Sequence, residues 1–296
     1  MILNLPHFKF PKHHLFIILC LLLTCLYSGC SRQEVKLYPK TEAEEGFIRF
    51  CKEEFNRDVI TRHVDDTLWI YLPYEEDILK FQVNKFPQIP KFTVVFIDGN
   101  LKDAALRFEY QIVALSKTEK NKGYSYNFTE ETNKDFGLLL YGIRDKYFNA
   151  EHQPKFYIIV LADLINGVEF QYTIYGTDLK KYLDQAITPS EYYNRMLQDL
   201  RGNVLIIGDK IGRHLSYEKL EFSQFLVEQI MQRIRFKFTK ADFKLETTTE
   251  EEIFKIISYC ADTYEFREFS KVVLENLESQ DIITINQPAL AEFKEF

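Results

Sequence analysis

The stretch Lys155-Phe156-Tyr157-Ile158-Ile159-Val160-Leu161 leads through Asn166-Gly167 into Val168-Glu169-Phe170-Gln171-Tyr172-Thr173-Ile174. The first run is rich in β-branched and aromatic residues, and the second alternates strictly between polar and apolar side chains. An asparagine–glycine pair favours a type I′ turn, because both central residues of that turn need positive φ. The stretch therefore predicts a β-hairpin, the clearest in the chain.

An earlier segment repeats this pattern. Pro90-Lys91-Phe92 and Pro154-Lys155-Phe156 open matching apolar strands. Phe108-Glu109-Tyr110-Gln111 and Val168-Glu169-Phe170-Gln171 then follow as matching return strands. Two explanations stay open, an internal duplication or convergence of amphipathic strands. A duplication would give an antiparallel sheet with helices on one face.

Hydrophobic periodicity predicts an α+β fold with a mainly antiparallel sheet. In residues 41–186 a helix followed by a hairpin occurs at 42–72 and again at 133–175, which are the candidate duplicated units. Residues 187–296 form a more helical α+β region, either separate or one domain with the preceding region. Its first helix begins at Thr188-Pro189-Ser190-Glu191, where threonine is the expected N-cap and Glu191 completes a capping box.

Four local predictions concern short elements. Residues 75–81 are expected to form a helical turn, and 203–207 a buried strand. Residues 235–243 alternate like a strand, whereas Phe266, Phe269, Val273 and Leu277 recur at helical spacing.

The first thirty residues have the three parts of an export signal. Lys9 and Lys12 give a basic start, and the uncharged run from Leu15 to Gly29 follows. As a helix this run would be about 22 Å long, which is short for a bilayer core of about 30 Å. Two interpretations of this segment are an uncleaved anchor and an ordinary secretory signal. Its last three residues indicate a third.

Ser28-Gly29-Cys30 resembles the lipobox of bacterial lipoproteins, although Tyr27 takes the usual place of leucine and Leu26 lies one position earlier. The resemblance implies a signal peptide over 1–29, lipidation of Cys30 and a polar tether over 30–40. It also implies a lipid-anchored, extracytoplasmic protein, and Ser31 favours the outer membrane with the body on the periplasmic side. Two or more acyl chains would anchor it stably.

Charge and composition restrict the partners of the folded body. The net charge of −7 becomes −9 without the leader, whose only charged side chains are Lys9 and Lys12. Nucleic acid is therefore not expected as a partner, since its binding depends on clustered basic residues. The many aromatic residues favour a well-filled core, and the alternative is an aromatic-lined cleft for a glycan or small molecule.

Cys51 and Cys260 remain once the leader cysteines and Cys30 are set aside. An exported protein can form disulfides, so these two cysteines are a candidate pair. Both also lie on the apolar stripes of predicted helices, where a cysteine packs as a small hydrophobic side chain. The two interpretations remain open.

Chemistry-bearing motifs are absent from the sequence: it contains no HExxH, CxxC, GxxxxGK[ST] or GxSxG pattern. No cofactor is therefore expected. The best catalytic candidates are Asp209 and His214, an acid–base pair in the glycine-containing loop 207–214. The alternative is a polar turn.

Two further sets of polar residues follow the repeat. Asp98 and Asp163 stand near the ends of the matched apolar strands. They are candidate ligands for a cation or candidate acid–base groups acting on a glycan, or they are turn-forming residues. Glu109 and Gln111, with Glu169 and Gln171, form a repeated polar stripe. It is either the solvated face of a sheet or a surface for a glycan or protein partner.

The sequence thus predicts an envelope lipoprotein that acts as a non-enzymatic binding or scaffolding module. A cell-envelope hydrolase acting on glycan or peptide is the first alternative, with Asp209 and His214 as its residues. A binder of glycans or small molecules is the second.

Overall fold

A computed structural model of the chain describes residues 39–84, 92–114, 123–239 and 247–293. The leader, Cys30 and nearly all of the tether lie outside this part. The described residues belong to one compact unit, which includes those of both 41–186 and 187–296. No helix in the described ranges is both long enough and apolar enough to span a membrane.

Helices and strands are interspersed along the described chain. The helices are α1 (Lys40–Phe55), α2 (Glu130–Tyr147), α3 (Gly176–Leu183), α4 (Pro189–Arg195), α5 (Phe222–Thr239) and α6 (Thr249–Thr263). The strands are β1 (Ile60–Val64), β2 (Thr67–Tyr74), β3 (Leu79–Asn84), β4 (Phe92–Lys102), β5 (Ala105–Ala114), β6 (Gly123–Phe128), β7 (Phe156–Asp163), β8 (Val168–Tyr175), β9 (Leu197–Gly202), β10 (Lys271–Asn276) and β11 (Ile282–Asn286). Short 3₁₀ helices cover Val204–Ile206 and Gln287–Phe293.

The first sheet has the strand order β1-β2-β7-β8-β9, in which the β2–β7 pair is parallel and the other pairs are antiparallel. The predicted β7–β8 hairpin is confirmed, but the prediction that Asn166 and Gly167 alone form its turn is wrong. The strands end at Asp163 and resume at Val168, and of the four connecting residues only Gly167 has positive φ, at 65°. The Asp163 carboxylate accepts hydrogen bonds from the backbone N–H groups of Ile165 and Asn166 and closes the longer turn.

Both faces of this sheet are covered near its centre. Leu68, Ile70 and Leu72 of β2 belong to the core shared with helices α1 and α2. Trp69 and Tyr71 point to the opposite face, where residues 203–221 cross the sheet. We call residues 203–221 the strap. The β2 strand is therefore buried on both sides, which explains its lack of polar alternation.

The second sheet has the order β11-β10-β5-β4 and packs one face on α5 and α6. Its β10–β5 pair is parallel, whereas β4–β5 is the second predicted hairpin and is confirmed as antiparallel. The turn of that hairpin lies at Asp103 and Ala104, both at φ 52°. A separate ribbon pairs β3 with β6.

The four local predictions were wrong, each for a tertiary reason. Residues 79–84 form strand β3 because they pair with β6. Residues 204–206 form a short 3₁₀ helix in the strap, in which Ile206 is buried against the first sheet and Val204 is 78% exposed. Helix α5 continues to Thr239 because Phe238 extends its buried face, and residues 240–243 lie outside the described ranges. Residues 271–276 form β10 because they pair with β5 and β11.

The α+β class with mainly antiparallel sheets is confirmed. The helix–hairpin units α1-β1-β2 and α2-β7-β8 lie side by side in the first sheet. The β4–β5 hairpin, which matches β7–β8 in sequence, lies in the second sheet. The internal duplication of the helix–hairpin units stays a prediction.

Candidate functional site

The strap is fixed to strand β2 by three hydrogen bonds. The Tyr71 hydroxyl donates to the backbone carbonyl of Asp209 at 2.6 Å, and Trp69 Nε1 donates to the carbonyl of Glu218 at 2.9 Å. The backbone N–H of Leu220 donates to Thr67 Oγ1 at 3.0 Å. These bonds, spaced along the strap, hold it across the sheet.

Asp209 shapes the loop in which the sequence placed a candidate acid–base pair. Gly208 and Gly212 adopt φ values of 72° and 68°, which glycine tolerates without strain. The Asp209 carboxylate accepts hydrogen bonds from the backbone N–H groups of Ile211, at 3.3 Å, and His214, at 3.0 Å. The loop thereby brings Asp209 and His214 together, as the sequence suggested.

His214 lies between two carboxylates. Its Nδ1 is 2.6 Å from Asp209 Oδ2, and its Nε2 is 2.8 Å from Glu169 Oε2 on strand β8. The side chains of His214 and Glu169 are each 4% exposed, and that of Asp209 is 10% exposed. The Tyr71 ring packs edge-on at 5.8 Å. We call Glu169, Asp209 and His214 the latch, because it joins the strap to the sheet.

The contacts within the latch shift the pKa values of His214 and Asp209. Both ring nitrogens of His214 lie within hydrogen-bonding distance of carboxylate oxygens, an arrangement that stabilises the imidazolium form of the ring. Burial lowers the pKa of His214, but the hydrogen bonds to Asp209 and Glu169 and their charges outweigh burial and raise it above its ordinary value. Burial raises the pKa of Asp209, and the hydrogen bonds from His214 and nearby backbone groups outweigh it and lower the pKa to about 2.

This geometry limits what the latch can do chemically. A general base needs a ring nitrogen that is free to take a proton from a substrate. Both nitrogens of His214 are occupied by carboxylates that belong to the fold. The arrangement therefore favours a structural ion-pair cluster over the catalytic pair of the hydrolase alternative.

A cleft of about 520 Å³ opens beside the latch. It shares Trp69, Gln171, Arg201 and Ser216 with a larger depression of about 900 Å³. We call the two together the groove. Its floor is the half of the first sheet that the strap leaves open, and its walls come from the strap, α5 and residues 99–101 of β4.

The pairing of β8 with β9 determines which side chains form the floor of the groove. Thr173 pairs with Leu197, Gln171 with Asp199 and Glu169 with Arg201, so these residues lie in rows across β8 and β9. Glu169 closes one end of the floor, where His214 binds it. The groove is lined mainly by amide, hydroxyl and charged side chains, and Trp69 is the aromatic residue in its lining. This groove is thus polar, unlike the aromatic-lined cleft of the second alternative, because most large aromatic side chains lie in the cores.

The other polar candidates are not brought together. Asp163 is buried in the β7–β8 turn of the first sheet, whereas Asp98 is exposed within β4 of the second, beside an irregularity in strand pairing. Glu109 and Gln111 lie on strand β5, away from Glu169 and Gln171 on β8. Within the described ranges, no group of three or more His, Cys, Asp or Glu residues is arranged to hold a metal ion.

His63 and His152 line another cavity, of about 410 Å³, together with Asp65, Asp66 and Glu151. Nε2 of His63 and Oδ1 of Asp66 are buried and have no hydrogen-bond partner among the residues that the structure describes. These residues do not form a metal-binding group, so the cavity has no assigned ligand.

Cys51 and Cys260 are separate free thiols. Cys51 packs in the core of the first sheet and Cys260 in that of the second. The candidate disulfide between them is therefore wrong for this structure, and the packing interpretation applies. Burial raises the pKa of each thiol to about 12.

The sequence did not reveal that Glu169 binds His214, or that Gln232 caps strand β9. Gln232 Oε1 accepts from the backbone N–H of Gln198, and its Nε2 donates to the carbonyl of Met196. Glu169 was visible as part of a polar stripe, but its partner lies 45 residues later in the chain. No local signal identifies Gln232.

No protein-family model, no curated protein and no solved structure matches this chain. Its function has to be argued from its own residues.

Proposed function

We propose that this chain is a membrane-anchored envelope lipoprotein whose body is a non-enzymatic binding module. The anchor is Cys30, and the binding surface is the groove along β8 and β9. The leader ending in Ser28-Gly29-Cys30 supports the anchor. Cys30 lies outside the described residues, so this part of the proposal rests on the lipobox resemblance.

One observation carries the choice of a binding module over a hydrolase. Both ring nitrogens of His214 contact carboxylates, at 2.6 and 2.8 Å, next to an open polar groove. The latch therefore builds one end of the groove and leaves no free imidazole nitrogen for proton transfer.

Membrane fractionation of Cys30→Ser tests the anchor. Cys25→Ser is the matched control, because it removes a leader cysteine outside the lipobox. We expect Cys30→Ser to lose lipid labelling and stable membrane retention, and Cys25→Ser to keep both. Unchanged retention and an unchanged leader cut in Cys30→Ser would overturn the lipoprotein assignment.

Incubation of the full-length protein with isolated cell-wall material tests the non-enzymatic part. We expect no release of soluble glycan or peptide fragments. Release that disappears in His214→Gln but persists in His152→Gln would instead support the hydrolase. His152 is an exposed histidine away from the latch and is the matched control.

A further inference from the structure

The charged side chains in the groove balance one another. Arg201, Lys219 and Arg235 are matched in number by Asp199, Glu218 and Glu228. Arg201 Nε donates to Asp199 Oδ2 at 2.5 Å, so part of this charge is paired along strand β9. A groove of this kind lacks the one-signed field that concentrates a charged ligand.

Neutral hydrogen-bonding groups supply much of the remaining lining. Amides come from Asn100, Gln171, Gln198 and Gln224, and hydroxyls from Thr173, Ser216 and Ser223. Each side-chain amide offers both donors and an acceptor, and each hydroxyl can do either. The hydroxyl groups of a sugar have the same dual character, so this lining complements them.

Strand addition by a peptide is obstructed at the start of β9. An extended peptide would bind this edge strand through its free backbone N–H and C=O groups. Gln232 already occupies the N–H of Gln198, at 2.8 Å, and the carbonyl of Met196, at 2.6 Å. It is only 4% exposed and is held by helix α5, so a ligand would not readily displace it.

From these observations we infer that the groove binds an uncharged, hydroxyl-rich oligosaccharide that lies along β8 and β9. The cavity of about 900 Å³ is at the upper end of the range for ligand pockets, which leaves room for more than one sugar ring. The inference rests on the proposed binding function and adds the class of ligand.

Trp69 gives a direct readout, because it is the only tryptophan in the chain and lines both parts of the groove. The full-length protein in detergent is titrated with N-acetylglucosamine tetramer and, separately, with glucose tetramer, while tryptophan fluorescence is recorded. Gln171→Ala removes a floor amide. Gln111→Ala is the matched control, since Gln111 holds the corresponding place in the β4–β5 hairpin of the other sheet.

We expect a saturable change with at least one tetramer, about tenfold weaker in Gln171→Ala and unchanged in Gln111→Ala. A response only to the N-acetylglucosamine tetramer would indicate an acetamido-bearing glycan, whereas equal responses would indicate recognition of hydroxyls alone. No saturable response, or equal loss in both variants, would overturn the inference.

Two outcomes separate this inference from the proposed function. If both tetramers fail but an alanine–glycine peptide titrates with sensitivity to Gln171→Ala, the ligand class is wrong and the binding module stands. If a tetramer binds and is also cut into shorter sugars, the ligand class stands and the non-enzymatic function is wrong.

Discussion

Nε2 of His214 lies 2.8 Å from Oε2 of Glu169, and both side chains are 4% exposed. This contact joins the strap to strand β8 at the end of the groove. Asp209 holds the opposite side of the same ring at 2.6 Å. Charged groups this deeply buried are costly to separate, because a lone buried charge loses its hydration without compensation.

Removing the imidazole should therefore destabilise the protein. We expect His214→Ala to lower the free energy of unfolding by about 3 kcal/mol, since it leaves the buried Glu169 carboxylate without its partner. His152→Ala, at an exposed histidine, should change it by less than about 0.5 kcal/mol. Urea unfolding of the full-length protein measures both. Equal effects of the two substitutions would show that the latch contributes nothing.

The contribution of the latch should depend on pH in two directions. The raised pKa of His214 means that its stabilisation is complete below the ordinary value of 6.5 and is lost as pH rises through the folded-state value. The pKa of Asp209, lowered from 3.8 to about 2, gives stabilisation that is complete above 3.8 and is lost as pH falls toward 2.

The measurement is the difference in unfolding free energy between the wild-type chain and His214→Gln, from pH 3 to 9. We expect it to be largest between about pH 4 and 6.5 and to decline on both sides. A difference that increases steadily from pH 6.5 to 9 would contradict an imidazolium held between two carboxylates.

Two glycines in the strap provide a steric comparison. Both have positive φ, but a Cβ at Gly208 meets nothing within 4 Å, whereas one at Gly212 meets the Tyr217 hydroxyl and Tyr71 Cγ, the latter at 3.1 Å. We expect Gly208→Ala to cost about 1 kcal/mol from the backbone conformation alone. Gly212→Ala should cost at least about 1 kcal/mol more, because Tyr71 cannot move without disturbing the sheet. Thermal unfolding of both variants tests this, and equal shifts would rule out tight strap packing at Tyr71.

Cys51 and Cys260 should be unreactive in the folded protein. Burial raises their pKa values to about 12, so neither forms the reactive thiolate near neutral pH. We expect a thiol reagent to label neither cysteine until the chain is unfolded, and dithiothreitol to leave the melting temperature unchanged. A mass deficit of two hydrogens in the oxidised protein, reversed on reduction, would instead show that they are bonded.

Elements whose signals are local were predictable from the sequence. The helix start at Thr188 is an example, because this threonine accepts a hydrogen bond from the backbone N–H of Glu191, three residues later. The capping box at Thr188 was only half present, since the Glu191 carboxylate binds Arg195 and not the N-cap backbone. Strand β10 could not be predicted, because it is fixed by pairing with β5, which lies far away in the chain.

The candidate site was likewise predictable only where the signal is local. Asp209 and His214 are five residues apart, so a loop bounded by glycines was enough to suggest their contact. Glu169 alternates along β8 like a solvent-facing residue, and only the strap folding over the sheet buries it. The groove depends on the positions of β8, β9, α5 and the strap together, which no local pattern encodes.

The most direct test of the central claim is the intact mass of the amino-terminal peptide from membrane-purified protein expressed in a bacterium. A lipid-anchored envelope protein should begin at Cys30 and carry the added mass of a diacylglyceryl group, with or without a further acyl chain. A peptide that begins at Met1, or one that contains an unmodified Cys30, would contradict the account.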